Sequence, residues 1–90
     1  MSDSRERLRA AVLEVVENQI RDGTPPETRQ TIERLQREGV SADDAKSLIA
    51  ALVAAEIFSI AKDKRPFDER RFVECLHKLP ALPWDDDEEA

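Results

Sequence analysis

The chain has 90 residues, with 14 Lys and Arg against 20 Asp and Glu, for a net charge of −6. That length allows one domain with a small core. Two glycines and no tyrosine argue against a β-sandwich or a Gly-rich nucleotide fold. A single cysteine, Cys75, excludes an internal disulfide and a multi-thiolate metal site.

Five of the acids are consecutive, Asp85 to Glu89, which leaves 15 acids against 14 bases in the rest of the chain. The body is therefore near neutral. Its bases alternate with acids instead of clustering, so no nucleic-acid partner is expected. No apolar stretch reaches the length of a membrane span. The opening residues MSDSRERLRA lack the uncharged run of a signal peptide. With one thiol, these features predict a cytoplasmic protein.

The first helix is expected over about 4–22. Ser2, Asp3 and Ser4 offer capping oxygens, and Glu6 suits the positive end of the dipole. Its apolar stripe is Leu8, Val12, Val15, Val16 and Ile20, and Gln19 lies inside that stripe. Gly23 ends it by tolerating a left-handed backbone.

Thr24-Pro25-Pro26-Glu27 predicts the start of the second helix, over about 25–38, with Thr24 as cap and Pro25 in the first helical position. Its stripe is thin: Pro25, Thr28, Ile32 and Leu35. Arg29, Glu33 and Arg37 form a charged ladder along one side. It reads as a surface helix with one narrow contact line. Gly39 and Val40 have the order of a Schellman stop, so the third helix follows closely.

That third helix, over about 42–62, is the longest apolar segment. Ser41 is its cap, with Asp44 where a capping box places an acid. Ala45, Leu48, Ile49, Leu52, Val53, Ile57 and Ile60 recur at spacings of three and four. Glu56 falls in the middle of this stripe. The opposite side carries Ala51, Ala54, Ala55 and Phe58. A helix apolar nearly all round is central, covered on more than one side.

Lys62 to Pro66 read as a fraying end. Phe67-Asp68 then open the fourth helix, over about 69–79. Asp68 is its cap and Phe67 a staple onto Phe72. Phe72, Val73, Leu76 and Leu79 form its stripe, and Pro80 stops it. Ala81 to Trp84 are Pro-bounded and expected to be extended, with Leu82 and Trp84 laid back on the bundle. Residues 85–90 are expected to be a disordered acidic tail. The fold class is thus all-α: a four-helix, orthogonal or bundle-like single domain over 1–84, with a central third helix and a short extended C-terminal segment.

Few residues point to chemistry. Glu56 and Gln19 are polar groups on apolar stripes. A buried carboxylate finds a donor, raises its pKa or binds something. The plain outcome is a structural hydrogen bond, for instance between these two; the functional one is a polar spot that holds a ligand. One carboxylate and one amide are too few for a metal. His77 and Cys75 are two apart and do not share a helix face, so they form no catalytic pair. No Gly-rich phosphate loop, CxxC or HExxH occurs. Hence no catalytic residue, no metal and no cofactor are expected.

VVENQ at residues 15–19, DGTPPET and REGVSADDA form an ordered set. In this order they resemble a group of uncharacterised bacterial helical domains, domain of unknown function 1841 and its relatives. The likeness spans Leu8 to Pro80, and it implies a helical fold with a P-F-D turn into the last helix. The family pattern also has paired histidines, which would fall here at Arg9, Leu13, Asp43 and Ser47. None is histidine, so a family metal site would be lost in this chain. Glu17 persists from the pattern.

Two functions follow as expectations. The first is a non-enzymatic helical module for protein association, with itself as a homodimer or with another protein, through Ala51, Ala54, Ala55 and Phe58 together with Leu82 and Trp84. Against it stands the possibility that the fourth helix and Leu82-Trp84 cover that face. The second is a degenerate metal- or small-ligand-binding domain centred on Glu56 and Gln19, with Glu17. The acidic tail could also lure a basic partner or mimic nucleic acid, although such tails more often keep a protein soluble.

Overall fold

The computed structural model describes residues 2–84. It is an all-α, four-helix domain: α1 Ser2–Asp22, α2 Pro26–Arg37, α3 Ala42–Asp63 and α4 Glu69–Lys78. Residues 85–90, expected to be an acidic tail, lie outside the described residues.

The helix ends follow local chemistry. Gly23, at φ 68°, closes α1, and the Gly23 N–H donates to the Gln19 carbonyl at 2.8 Å. Arg29 of α2 donates to the Ile20 carbonyl, so a cation caps the negative end of α1. The start of α2 differs from expectation. Pro25 is the N-cap, at φ −73° and ψ 151°, and makes no side-chain cap bond. The Thr24 hydroxyl instead donates back to the Asp22 carbonyl. Pro26 is the cause: a proline pushes the preceding residue out of the helical region, so the helix begins one position late. Leu79 before Pro80 is extended for the same reason, with ψ 146°, and α4 stops at Lys78.

The α2–α3 junction is a Schellman turn. Val40 N–H donates to the Leu35 carbonyl at 2.9 Å, and Gly39 N–H to the Gln36 carbonyl at 3.1 Å, with Gly39 at φ 98°. Ser41 then caps α3, its hydroxyl accepting from Asp44 N–H at 3.1 Å. At the far end Lys64 takes the left-handed conformation at φ 54°, a position that favours glycine.

The core is Val12 and Val16 of α1, Ile32 and Leu35 of α2, Ala45, Ile49, Leu52 and Val53 of α3, and Phe72, Leu76 and Leu79 at the end of the chain. Burying each fully enclosed Leu or Ile contributes about 1.5–3 kcal/mol. α3 packs against all three other helices, as its pattern requires. So does α2, which corrects its reading as a surface helix. Its narrow line, in which Thr28 is fully buried, is widened by the buried Thr31. α2 also holds α4 directly: Arg34 Nη2 donates to the Leu76 carbonyl at 3.1 Å and the His77 carbonyl at 3.5 Å. α1 and α4 each pack on the α2–α3 pair and hardly on each other.

The C-terminal segment is not extended throughout. Ala81 and Leu82 are irregular, and Pro83 and Trp84 have 3₁₀ conformation. Leu82 packs half-buried on the core, whereas Trp84 is 45% exposed.

Candidate functional site

Two places on the molecule concentrate the residues singled out by sequence. The first is the polar spot on the inner face of α3. Glu56 is 8% exposed, as its place in the stripe predicts. Its partner is not Gln19. Arg65 Nη1 lies 3.0 Å from Glu56 Oε2, and the Asp68 N–H donates to the same oxygen at 3.4 Å. The segment read as a fraying helix end therefore folds back as a tether between α3 and α4. The Arg65 guanidinium is held above its ordinary pKa, chiefly by its hydrogen bond to Glu56, against the lowering effect of burial. Its Nη2 is buried with no hydrogen-bond partner among the described residues.

Gln19 finds a different donor: the Thr28 hydroxyl donates to Gln19 Oε1 at 2.8 Å. Gln19 and Glu56 nevertheless line one cavity of about 160 Å³, walled by Val15, Val53, Ile57, Ile60, Phe67 and Phe72. The rings of Phe67 and Phe72 are 5.8 Å apart, the staple expected at the α4 start. Glu17 is not part of this cavity. It is exposed and pairs with Lys46 Nζ at 3.0 Å, a surface bridge worth about 0–1 kcal/mol. Arg65 was not singled out by sequence, and Thr28 only as a member of the α2 contact line, not as a partner of Gln19. A buried carboxylate followed in sequence by five cations from Lys62 to Arg71 signalled that one would pair with it, but not which.

The second place is an open groove of about 620 Å³ between α1 and α3. Its floor is Leu8, Val12 and Leu13 of α1 and Ala50, Ala51 and Ala54 of α3, and its rim includes Arg5, Glu6 and Arg9. Leu8, placed by periodicity on the core stripe, is 57% exposed here, because no further element among the described residues stands over the first half of α1. Phe58, one turn beyond Ala54 on the same side of α3, is 74% exposed, and Ala55 is exposed too. The alternative in which α4 and Leu82-Trp84 shield this face does not hold. Phe72 and Leu76 of α4 are spent on the other side of α3, where Asp68 meets Glu56.

Arg9, Leu13 and Ser47, three of the positions where the resembled pattern has histidine, all line this groove. Among the described residues, no three His, Cys, Asp or Glu come together as a metal site. His77 is exposed and Cys75 half-buried. No helix among the described residues is long and apolar enough to cross a membrane. Comparison with protein families, curated proteins and solved structures finds no match for this chain.

Proposed function

We propose that the chain is a non-enzymatic helical module that associates with a second copy of itself through the open face between α1 and α3. The observation that carries this is the pair of large exposed apolar side chains, Leu8 and Phe58, set beside a groove floored by small alanines. Scattered exposed apolar residues are ordinary, but a contiguous apolar patch around a groove is the mark of an interface. A twofold pair covers such a patch on both copies at once. A near-balanced body charge suits a protein partner better than nucleic acid. The lone half-buried thiol of Cys75 suits a reducing, cytoplasmic setting.

Sedimentation across micromolar concentrations tests the proposal. The expected result is a monomer–dimer equilibrium that Leu8→Glu or Phe58→Glu weakens strongly. A clean monomer at every concentration overturns it.

One observation favours a second reading. Gln19 and Glu56 face a common cavity with two aromatic rings, a chemistry that suits a small molecule with a polar end. Arg65 already occupies the Glu56 carboxylate, which argues against a metal. Melting with and without divalent ions or small amines separates the readings, since a native-state ligand raises Tm; no rise discards the ligand site.

A further inference from the structure

We infer that the groove between α1 and α3 takes the C-terminal segment of a second copy of this chain, with the Trp84 indole in the apolar trough and the acids that follow it against Arg5 and Arg9. This rests on the association proposed above and names the part of the second copy that docks.

The groove supplies two chemistries in a fixed arrangement. Its floor is apolar, and its rim carries Arg5 and Arg9, one turn apart and so on one side of α1. Neither arginine has an ion pair among the described residues. Arg5, Arg7 and Arg9, all exposed, stand against the lone Glu6 over residues 4–10. The stretch is net positive in a body that is otherwise near balance.

The C-terminal segment supplies the complement in matching order. Trp84 is the one tryptophan of the chain, and it is 45% exposed. An unbroken run of five acids, Asp85 to Glu89, follows it directly. An aromatic anchor followed by acids meets an apolar trough bordered by arginines. Aromatic side chains are the usual interface anchors, and opposite charges set the register.

Geometry favours the tail of a second copy over the chain's own. Ala51 and Ala54 lie roughly 140–160° around α3 from Glu56, and Glu56 is the residue tied to the α4 start through Asp68. The groove therefore opens on the side of α3 away from α4. The furthest acid, Glu89, lies at most about 18 Å from Trp84 along the chain, in a molecule measuring 35 × 35 × 27 Å. Reciprocal exchange of the two segments closes as a twofold dimer and leaves no open end.

The test uses the full chain, sedimentation for mass and the single Trp84 as a fluorescence probe, each across concentration. Four variants accompany it: R5E/R9E; a tail with Asp85, Asp86 and Asp87 changed to Asn and Glu88 and Glu89 to Gln; R5E/R9E combined with a tail of lysines; and Leu8→Glu. Circular dichroism checks that each variant folds. The expected result is a dimer whose formation shifts Trp84 emission to the blue. R5E/R9E and the neutral tail each weaken it about tenfold or more at low salt, and the charge-swapped combination restores it. A dimer lost in Leu8→Glu but unmoved by the neutral tail overturns the tail docking and leaves the association proposal standing. So does a neutral tail that tightens the dimer, because the tail then competes from within its own chain. A monomer under all conditions overturns both.

Discussion

The Arg65 guanidinium reaches back from the α3–α4 loop to the buried Glu56 carboxylate, with Nη1 and Oε2 3.0 Å apart. This contact ties the loop to the middle of α3. It also accounts for a carboxylate in an apolar stripe, since a buried charge is tolerated only when paired and hydrogen-bonded.

Glu56→Ala strands Arg65 beside an apolar cavity, and the expected outcome is a Tm several degrees lower in a thermal melt. The pH behaviour follows from the direction of the Arg65 shift. Its pKa is raised on folding, so its contribution is complete below the ordinary arginine value and is lost only as pH climbs past the folded one. On the Arg65 side, the gap in Tm between wild type and Glu56→Ala is expected to stay constant from about pH 6 to pH 9. A gap that closes over that range counts against the charged pair.

Thr28 is fully buried, and its hydroxyl has Gln19 as acceptor. A double-mutant cycle with Thr28→Val and Gln19→Leu is expected to give a coupling of about 0.5–1.5 kcal/mol by urea denaturation. Additive single effects would mean that the two side chains are independent.

Arg34 fastens α2 to the last carbonyls of α4. Arg34→Met retains the apolar stem but removes the charged donor. The expected loss is about 1–2 kcal/mol of unfolding free energy, with faster hydrogen exchange in α4 than in α1.

Lys64 pays for its left-handed backbone at the end of α3. Lys64→Gly relieves that strain, less glycine's greater entropy in the unfolded chain. The expected gain is about 0.5–1 kcal/mol, seen as a Tm a few degrees higher. An unchanged or lower Tm would show that the lysine side chain contributes more than its backbone loses.

Much of the fold was legible because its signals are local. The caps at Ser41 and Asp68 and the stops at Gly23, Gly39 and Pro80 each depend on a few neighbouring residues. So does the phase of the apolar stripe, which placed Glu56 inside. What escaped depended on distant partners. Periodicity put Leu8 and Ile57 on stripes but could not say how far a neighbouring helix would extend over them, and both are exposed. Thr28 and Thr31 counted as little apolar content, yet both are buried on a helix that packs against all three others. The partner of Glu56 came from a loop, where no periodic pattern exists to read.

Because α1 and α4 each pack on the α2–α3 hairpin and barely touch one another, that hairpin is the shared frame on which both dock. The hairpin itself is closed by its Schellman turn and by the buried residues that α2 and α3 share. The tether at Glu56 joins α3 to the loop before α4, whereas among the described residues the groove is walled by α1 and α3 alone, so cutting the tether takes away no side chain that lines the groove.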